Sequence, residues 1–573
     1  MRPDGSPHPW GGNVSEAPHA APVRAPAGNG GAAAGGRPTG APIDLLVIGG
    51  GINGAGIARD AAGRGLSVVL CEQADLAQAT SSASTKLIHG GLRYLEQYEF
   101  RLVREALIER EVLLGNAPHI IWPLTFVLPH VSKLRPAWMV RLGLFLYDHL
   151  GGRKRLPGSR GVDFTKDPFG APLKDDVRKG FAYSDCWVED SRLVVLNAQD
   201  AREHGAEVLT RTACRRARRG DDGLWHASLE AAGPGGADRT FTARAVVNAA
   251  GPWVTQVLGQ VTGVNRPVGL RLVKGSHLVV PKLYDGDQAY ILQNDDRRIV
   301  FAIPYERDYT LLGTTDKLYE SDPGQVEIDA DERAYICRAA NRYFKRQVNP
   351  DDAIWHYSGV RPLYDDANEN VSAVTRDYVF DVDGGFGKDS EGDGGDGTPP
   401  LLSVFGGKIT TYRKLAEHAM DKLLPLLGTR GRSAAPAWTE HAALPGGDIA
   451  NADFEGYLAD LQHRHDWLPA HMARRYARAY GTRTERILAG AASLDDLGPH
   501  LGDELYGAEV RYLQQHEWAR TADDILWRRT KLGLHLSEAT QDALAAHLGE
   551  TAGARTGAGA RLKSARSQGV AAK

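Results

Sequence analysis

The stretch that most constrains the fold is Asp44–Glu72, DLLVIGGGINGAGIARDAAGRGLSVVLCE. Asp44–Ile48 is a short apolar run of the kind that lies buried in a parallel sheet. It leads directly into Gly49-Gly50-Gly51-Ile52-Asn53-Gly54, which fits G-x-G-x-x-G. Ile57–Ala62 then has helical character up to Gly63 and Gly65, and Ser67–Cys71 is a second apolar run closed by Glu72. Strand, glycine turn, helix, strand and terminal acid make one complete βαβ unit. Gly49 permits the tight turn, Gly51 admits a pyrophosphate to the backbone, and Gly54 lets helix and strand close up. The free N–H groups and positive dipole end of the helix suit phosphates. Asn53 sits inside this turn, and Glu72 stands where a carboxylate accepts hydrogen bonds from a ribose diol.

The fingerprint serves NAD and FAD alike. Two distant segments bear on the choice. Residues 244–253, RAVVNAAGPW, form a strand running into small residues and Gly251. Residues 401–414, LLSVFGGKITTYRK, read as a strand, the Gly406-Gly407 turn and a helix start that includes Thr411. A nucleotide site fed by strands near residues 45, 246 and 402 requires large insertions between sheet strands. That pattern favours a flavoprotein with a threaded substrate domain over an NAD dehydrogenase.

The chain has 573 residues, 42% hydrophobic and 24% charged, enough for substantial cores without a disulfide or metal staple. A formal net charge of -3 carries no nucleic-acid signature. Cys71, Cys186, Cys214 and Cys337 are dispersed with no C-x-x-C pair, which argues against a metal cluster and suits a reducing cytosol. Residues 1–41 are rich in Gly, Pro and Ala and read as a disordered extension without the apolar core of a secretory signal. Residues 383–400 form an acidic Gly-rich loop, and 551–573 a basic tail. No apolar run approaches the roughly 20 residues of a membrane span. The nearest candidate, Leu134–Arg155, admits two readings. Trp138, Phe145 and Tyr147 beside basic residues suit a helix lying in a headgroup layer. An ordinary buried helix with a basic C-terminal turn is the simpler expectation.

Residues 80–94, TSSASTKLIHGGLRY, supply hydroxyls for a cofactor loop, Ser81 and Ser82 among them. His89 and Arg93 are four apart, so a helical turn would put an imidazole and a cation on one face. Further basic residues lie in apolar or glycine-rich company: Lys274 and His277 in LVKGSHLVV, Arg361 in YSGVRPLY, Arg376 in VTRDY and Lys408 in FGGKITTY. Several such cations converging would cradle a phosphate or carboxylate. Thr314-Thr315-Asp316 reads as a strand-end turn. No P-loop, G-x-S-x-G or H-E-x-x-H motif occurs, so phosphoryl transfer, serine hydrolysis and zinc proteolysis have no support.

Residues 44–72, SSASTKLIHGGLRYLEQYEFRLVREALIEREVL, GLRLVKGSHLVVP, YILQNDDRRIVFAIPY, LLGTTD, YSGVRPLYDD, TRDY, LLSVFGGKITTYRKLAEHA and ADDILWRRTKLGL together resemble the FAD-dependent respiratory sn-glycerol-3-phosphate dehydrogenases. The likeness runs from about residue 44 to about 548, with motifs in matching order. It implies an α/β fold with an α+β part: a glycine-oxidase-like FAD-binding Rossmann domain interleaved with an antiparallel-sheet substrate domain, then a helical C-terminal domain. The expected FAD parts are about 42–95, 185–255 and 400–430, and the substrate parts about 96–184 and 256–399, within 42–435. The helical domain is expected at 436–550, as a docking or dimerisation surface or a lid, with a homodimer as the expected assembly. The resemblance also implies oxidation of sn-glycerol 3-phosphate to dihydroxyacetone phosphate, with electrons passing from FAD to a membrane quinone. The enzyme would be cytoplasmic, held peripherally on the anionic inner face of the membrane. Arg93, Tyr94, Arg361, Arg376 and Lys408 are the implied substrate residues, and His89 the histidine near the flavin. His277 is a second candidate base. A same-fold oxidase that makes peroxide, and a non-catalytic dinucleotide-binding protein, are the competing readings.

Overall fold

A computed structural model describes residues 41–131, 136–152, 155–233, 237–266, 269–296, 298–365, 377–386, 397–427 and 434–550. The N-terminal extension, Arg376, much of the acidic insert and the basic tail lie outside these residues. The βαβ unit forms as its pattern demands: strand Ile43–Ile48, helix Ile52–Gly63 and strand Val68–Cys71. All residues of both strands are buried, as expected of a parallel sheet covered on both faces.

An eight-stranded sheet grows around this unit. Its path runs Val379–Asp383, Leu401–Phe405, Arg239–Asn248, Ile43–Ile48, Val68–Cys71, Glu207–Leu209. The four junctions from Leu401–Phe405 to Glu207–Leu209 are parallel, and Val379–Asp383 joins antiparallel. Trp225–Ala231 and Thr212–Arg219 extend Arg239–Asn248 as an antiparallel flap. Helices Ile52–Gly63, Asp190–Glu203 and Tyr412–Leu427 pack around the βαβ unit, and a core of Leu45, Val47, Ile57, Val195, Leu402 and Met420 joins them. The strands distant in sequence thus become neighbours: Val246 faces Leu401, and Leu46 faces Val246.

A second sheet of ten strands is antiparallel except where Ala289–Gln293 runs parallel to Ile121–His130. Its long members are Ile121–His130 against Lys179–Val188 and Leu270–Pro281 against Trp355–Tyr364. Its edge is the short strand Leu87–Ile88, paired with Lys179–Val188. The segment that follows Glu72 therefore leaves the first sheet and enters the second, and residues between the two face both.

The C-terminal helices Phe454–Arg464, Ala470–Tyr480, Gly507–Glu517 and Glu538–His547 share one apolar core with the second sheet. The Trp355 and Trp527 rings lie 4.6 Å apart across that junction. Buried ion pairs fasten it to the first sheet as well: Arg529 donates to both oxygens of Asp75 at 2.7 and 2.8 Å, and Arg192 pairs with Glu517. A lid resting on solvated contacts would not carry such a junction.

Helix Ala137–Leu150 departs from the simpler sequence expectation. Only Leu144 and Tyr147 are buried, whereas Trp138 (66% accessible), Met139, Leu142 and Phe145 (50%) face outward. Helical spacing of apolar residues is the same whether the face is buried or exposed, so the pattern alone does not reveal that this face is uncovered. Among the described residues, no helix is long and apolar enough to cross a membrane.

Candidate active site

The glycine turn is built to exclude side chains. A Cβ on Gly54 would lie 1.9 Å from the Gly49 carbonyl oxygen, and one on Gly49, at φ +116°, would lie 2.5 Å from the Ala249 oxygen. The turn thus rests directly against the 249–251 segment of the neighbouring strand. Helix Ile52–Gly63 begins at Gly51 in extended conformation. Its cap comes from afar: the Ile52 N–H donates to Ser81 Oγ at 3.0 Å. Ser81 therefore braces the N-terminal end of this helix, and Ser82, in the same turn Thr80–Ser82, donates to the Ala79 carbonyl at 3.3 Å.

Glu72 is fixed by two backbone donors, Gly50 N–H at 2.7 Å and Ala74 N–H at 2.8 Å. Burial raises its pKa, and these N–H groups oppose the rise. Across the turn, Asn53 Nδ2 donates to the Gly406 carbonyl at 3.0 Å, while Asn53 Oδ1 is buried without a protein partner. Gly406 and Gly407 adopt φ +74° and +95°, and the Gly407 backbone abuts the Asn53 amide. A backbone cradle with no room for side chains, an acid at the second strand end and an orphaned buried acceptor fit the phosphates, ribose and ring edge of a bound FAD. Gly251 follows strand Arg239–Asn248, and the 406–407 turn and Thr411 follow Leu401–Phe405, so with the glycine turn they stand at the carboxyl ends of three parallel strands, where ligands bind in such sheets.

The chemical residues come from both sheets: His89, His277 and Arg361 from the second, and Lys408 from the turn after strand Leu401–Phe405 of the first. Lys408 caps the turn Ile409–Thr411. Its ammonium lies 3.7 Å from the Tyr94 ring centroid. The His89 N–H donates to Thr410 Oγ1 at 3.2 Å, so His89, Tyr94 and Lys408 are brought together. A helical turn over 89–93 does not form. Gly91, at φ +75°, breaks the chain between Ile88 and the 3-10 turn Leu92–Gln97 that carries Arg93. Behind the break, Gly90 N–H donates to Tyr147 Oη at 2.8 Å, which bonds Asp185, which pairs with Arg110 at 2.7 Å. Burial raises the Asp185 pKa, and Arg110 opposes it.

His277 and Arg361 occupy paired strands. The His277 ring stacks on Tyr357 at 4.7 Å, its Nε2 meets Thr85 Oγ1 at 3.0 Å, and its buried Nδ1 has no partner. Burial holds its pKa well below the usual value, and the positive charges of Arg361 and Lys86 add to this. Both effects favour the uncharged imidazole. Arg361 is oriented by Asp316 through Nη1 and by Thr314 Oγ1 at 3.1 Å from Nη2. The strand-end turn 314–316 is thus the partner of the arginine, a link concealed by a sequence separation of 45. Thr80 Oγ1 donates to the Val360 carbonyl at 2.6 Å, and Tyr364 meets Phe405 edge to face, so the Arg361 strand lies against both the 80–89 segment and the Gly406 turn. The buried pair Lys86–Asp190, at 2.7 Å, carries no signal in the local sequence. It holds the 84–86 segment to the start of helix Asp190–Glu203, with Ser84 Oγ also donating to Asp190 at 2.8 Å.

Comparison with known proteins fits this geometry. Residues 44–413 match the model for FAD dependent oxidoreductases, and residues 437–554 match the C-terminal domain of alpha-glycerophosphate oxidase. A glycerol-3-phosphate dehydrogenase from Pseudomonas aeruginosa is 57% identical over 505 residues, 88% of this chain and 94% of that one. A D-erythritol 1-phosphate dehydrogenase from Brucella abortus is 56% identical, covering 87% and 96%. The glycerol-3-phosphate dehydrogenase from Bacillus halodurans, solved with FAD, superimposes with a TM-score of 0.67 at 27% identity, covering 92% and 94%. On its matched residues and its relatives, the chain belongs to the FAD-dependent oxidoreductases, in the branch of the glycerol-3-phosphate dehydrogenases.

Proposed function

We propose that the chain oxidises sn-glycerol 3-phosphate to dihydroxyacetone phosphate with FAD as the first electron acceptor and a membrane quinone as the second. The observation that carries this reading is the convergence of His89, Lys408 and Tyr94 on the Gly406-Gly407 turn, with Arg361 on the adjoining strand. When bound, FAD supplies the ring that accepts a hydride from C2 of the substrate. Gly49, Gly51, Asn53, Gly54, Glu72, Gly251, Gly406, Gly407 and Thr411 are the proposed cofactor residues, with Ser81 and Ser82 supporting them.

The remaining work falls to side chains. Arg361, whose fork Asp316 and Thr314 hold in place, binds the phosphate with Arg93, Lys408 and Tyr94 beside it. Arg376 is proposed for the same anion on sequence grounds. A planar fork matches phosphate oxygens better than a lysine ammonium does. His89 takes the C2 hydroxyl proton on its imidazole. His277 is the weaker base, since an imidazole with a strongly depressed pKa is poorly matched to a neutral-pH proton transfer. Positioning C2 and its hydroxyl together makes the two transfers effectively unimolecular.

The membrane reading rests on helix Ala137–Leu150. Its exposed Trp138, Met139, Leu142 and Phe145 form an apolar face, with Arg141 exposed beside it. Such a face suits the headgroup boundary of an anionic bilayer. The helix packs on the turn Leu92–Gln97, so a membrane at this face lies next to the segment that carries Arg93 and Tyr94. We further propose the division of labour between the first sheet for FAD and the second for substrate, and a homodimer in solution.

The test is the electron balance of the purified holoenzyme. Anaerobic turnover with a soluble quinone analogue should consume one quinone per dihydroxyacetone phosphate formed. Stoichiometric peroxide in air without quinone would assign an oxidase instead. The 56% identical Brucella protein favours a second reading, a longer polyol phosphate. A higher kcat/KM with D-erythritol 1-phosphate than with glycerol 3-phosphate would decide for it.

A further inference from the structure

The proposed chemistry leaves all four cysteines unused, and two of them lie together. Cys71 ends the strand Val68–Cys71 and is buried. Its sheet neighbour is Leu209, after which the chain turns back over the strand end. Arg211 N–H donates to the Ala74 carbonyl at 2.8 Å and Thr212 N–H to the Glu72 carbonyl at 2.7 Å. This stitches the start of strand Thr212–Arg219 onto the end of Val68–Cys71. Cys214 follows two residues later, at a register shift between Cys214 and Arg216. Such a bulge re-aims side chains. Here Cys214 packs against the apolar cluster that contains Cys71.

The two thiols are unequal. Cys71 is enclosed, whereas Cys214 is half-exposed at the sheet flap. Each thiol donates to a backbone carbonyl, Cys71 to Val47 at 3.6 Å and Cys214 to Arg216 at 3.7 Å. The nearby Cys214 sulfur and burial raise the pKa of Cys71, whereas the nearby Cys71 sulfur lowers that of Cys214 against the effect of burial, with help from Arg218. An accessible thiol with enhanced thiolate character above an enclosed partner is the arrangement of an attacking and a resolving cysteine. Cys186 and Cys337 are each buried in a different core and have no such neighbour among the described residues.

We propose that Cys71 and Cys214 form a reversible disulfide when the protein meets hydrogen peroxide. The Cys214 thiolate attacks one peroxide oxygen, the O–O bond breaks and the departing hydroxide takes up a proton to become water, leaving a sulfenic acid. The Cys71 sulfur then displaces the hydroxyl from Cys214. The S–S bond forms, and the hydroxyl leaves as water with the Cys71 proton. Two thiols lose two electrons in all, and one peroxide becomes two waters. Peroxide arises locally if a reduced flavin meets oxygen; that source rests on the proposed function, whereas the thiol chemistry does not. The bond would fasten the strand end that carries Glu72, and would hold Cys214 on a recoverable rung of the oxidation ladder.

The test treats air-purified, dithiothreitol-reduced holoenzyme with a few equivalents of hydrogen peroxide and then maps its peptides without reduction. The expected result is a Cys71–Cys214 crosslinked peptide, loss of two of the four thiols and full recovery with dithiothreitol. In Cys71→Ala, Cys214 should instead proceed to sulfinic and sulfonic acid that dithiothreitol does not reverse. Retention of all four thiols, a crosslink involving Cys186 or Cys337, or irreversible oxidation of Cys214 in the unmodified protein would each overturn the proposal. Because the peptide map uses the unsubstituted chain, a poorly folding variant does not obscure the outcome. Thiol recovery is scored without any substrate, so it stands or falls apart from the assigned reaction.

Discussion

Replacing Gly54 with Ala puts a methyl carbon where the turn has no space. That carbon would lie 1.9 Å from the Gly49 carbonyl oxygen, where ordinary contact begins at 3.4 Å. Helix and turn must part by about 1.5 Å, because backbone in a close-packed interior has no void to absorb the difference. Overpacking of this kind costs about 1–3 kcal/mol. The larger effect falls on the cofactor. A backbone N–H bonded to a charged phosphate contributes about 1.5–3 kcal/mol, so shifting the turn off the pyrophosphate weakens FAD binding roughly 10- to 100-fold. Gly65→Ala is the control, since Gly65 has φ +89° but nothing within 4 Å of the added methyl. It carries backbone strain without a clash at the phosphate site. The assay is the ratio of flavin to protein absorbance after desalting, followed by titration of the apoprotein with FAD. Gly54→Ala with wild-type flavin content and affinity would refute the reasoning.

Four further outcomes are expected. Arg361→Ala should raise KM for glycerol 3-phosphate roughly 10- to 100-fold, the loss of one charge-assisted contact, whereas His89→Gln should slow single-turnover flavin reduction in stopped flow. An unchanged KM would remove Arg361 from the phosphate site, and full-speed reduction would remove His89 as base. Leu142→Glu with Phe145→Glu should abolish co-sedimentation with anionic phospholipid vesicles, because two apolar side chains contribute about 3–6 kcal/mol when buried in lipid; turnover with a soluble acceptor should persist. Unaltered sedimentation would place the membrane contact elsewhere. His119 is enclosed, and burial pushes its pKa down to about 3, with Arg192 and Arg478 adding to the effect. Between that value and its unfolded pKa of about 6.5, only the unfolded chain binds the proton, so this site destabilises the fold by about 1.4 kcal/mol per unit fall in pH. His119→Phe should lessen the acid sensitivity of unfolding by that slope, measured by denaturant titration between pH 7 and pH 5; an identical slope in both proteins would exclude the assignment.

The βαβ unit was legible because its signals are local: two apolar runs, a glycine turn between them and an acid at the end. The convergence of Gly251 and Gly406-Gly407 on that turn was readable only as an inference about shared sheet strands, and pairing of Ile43–Ile48 with Arg239–Asn248 and of that strand with Leu401–Phe405 makes it concrete. The 89–93 spacing misled because it presumed a helix, and Gly91 in the left-handed region ends any such turn. Asp316 under Arg361, Asp190 under Lys86 and Asp185 behind Gly90 were invisible for another reason. Each partner comes from a turn, strand or helix start far along the chain, and no periodicity links them. The helix at Ala137–Leu150 shows the converse limit: its pattern was plain, but a pattern does not name what covers it.

The proposed reaction requires FAD and glycerol 3-phosphate to meet at the carboxyl ends of these strands. The most direct measurement is the visible spectrum of the purified protein, recorded anaerobically before and after adding sn-glycerol 3-phosphate. The expected result is an oxidised flavin band that bleaches on addition, with one dihydroxyacetone phosphate formed per flavin. A colourless protein, or a flavin that dithionite bleaches and glycerol 3-phosphate leaves untouched, would contradict it.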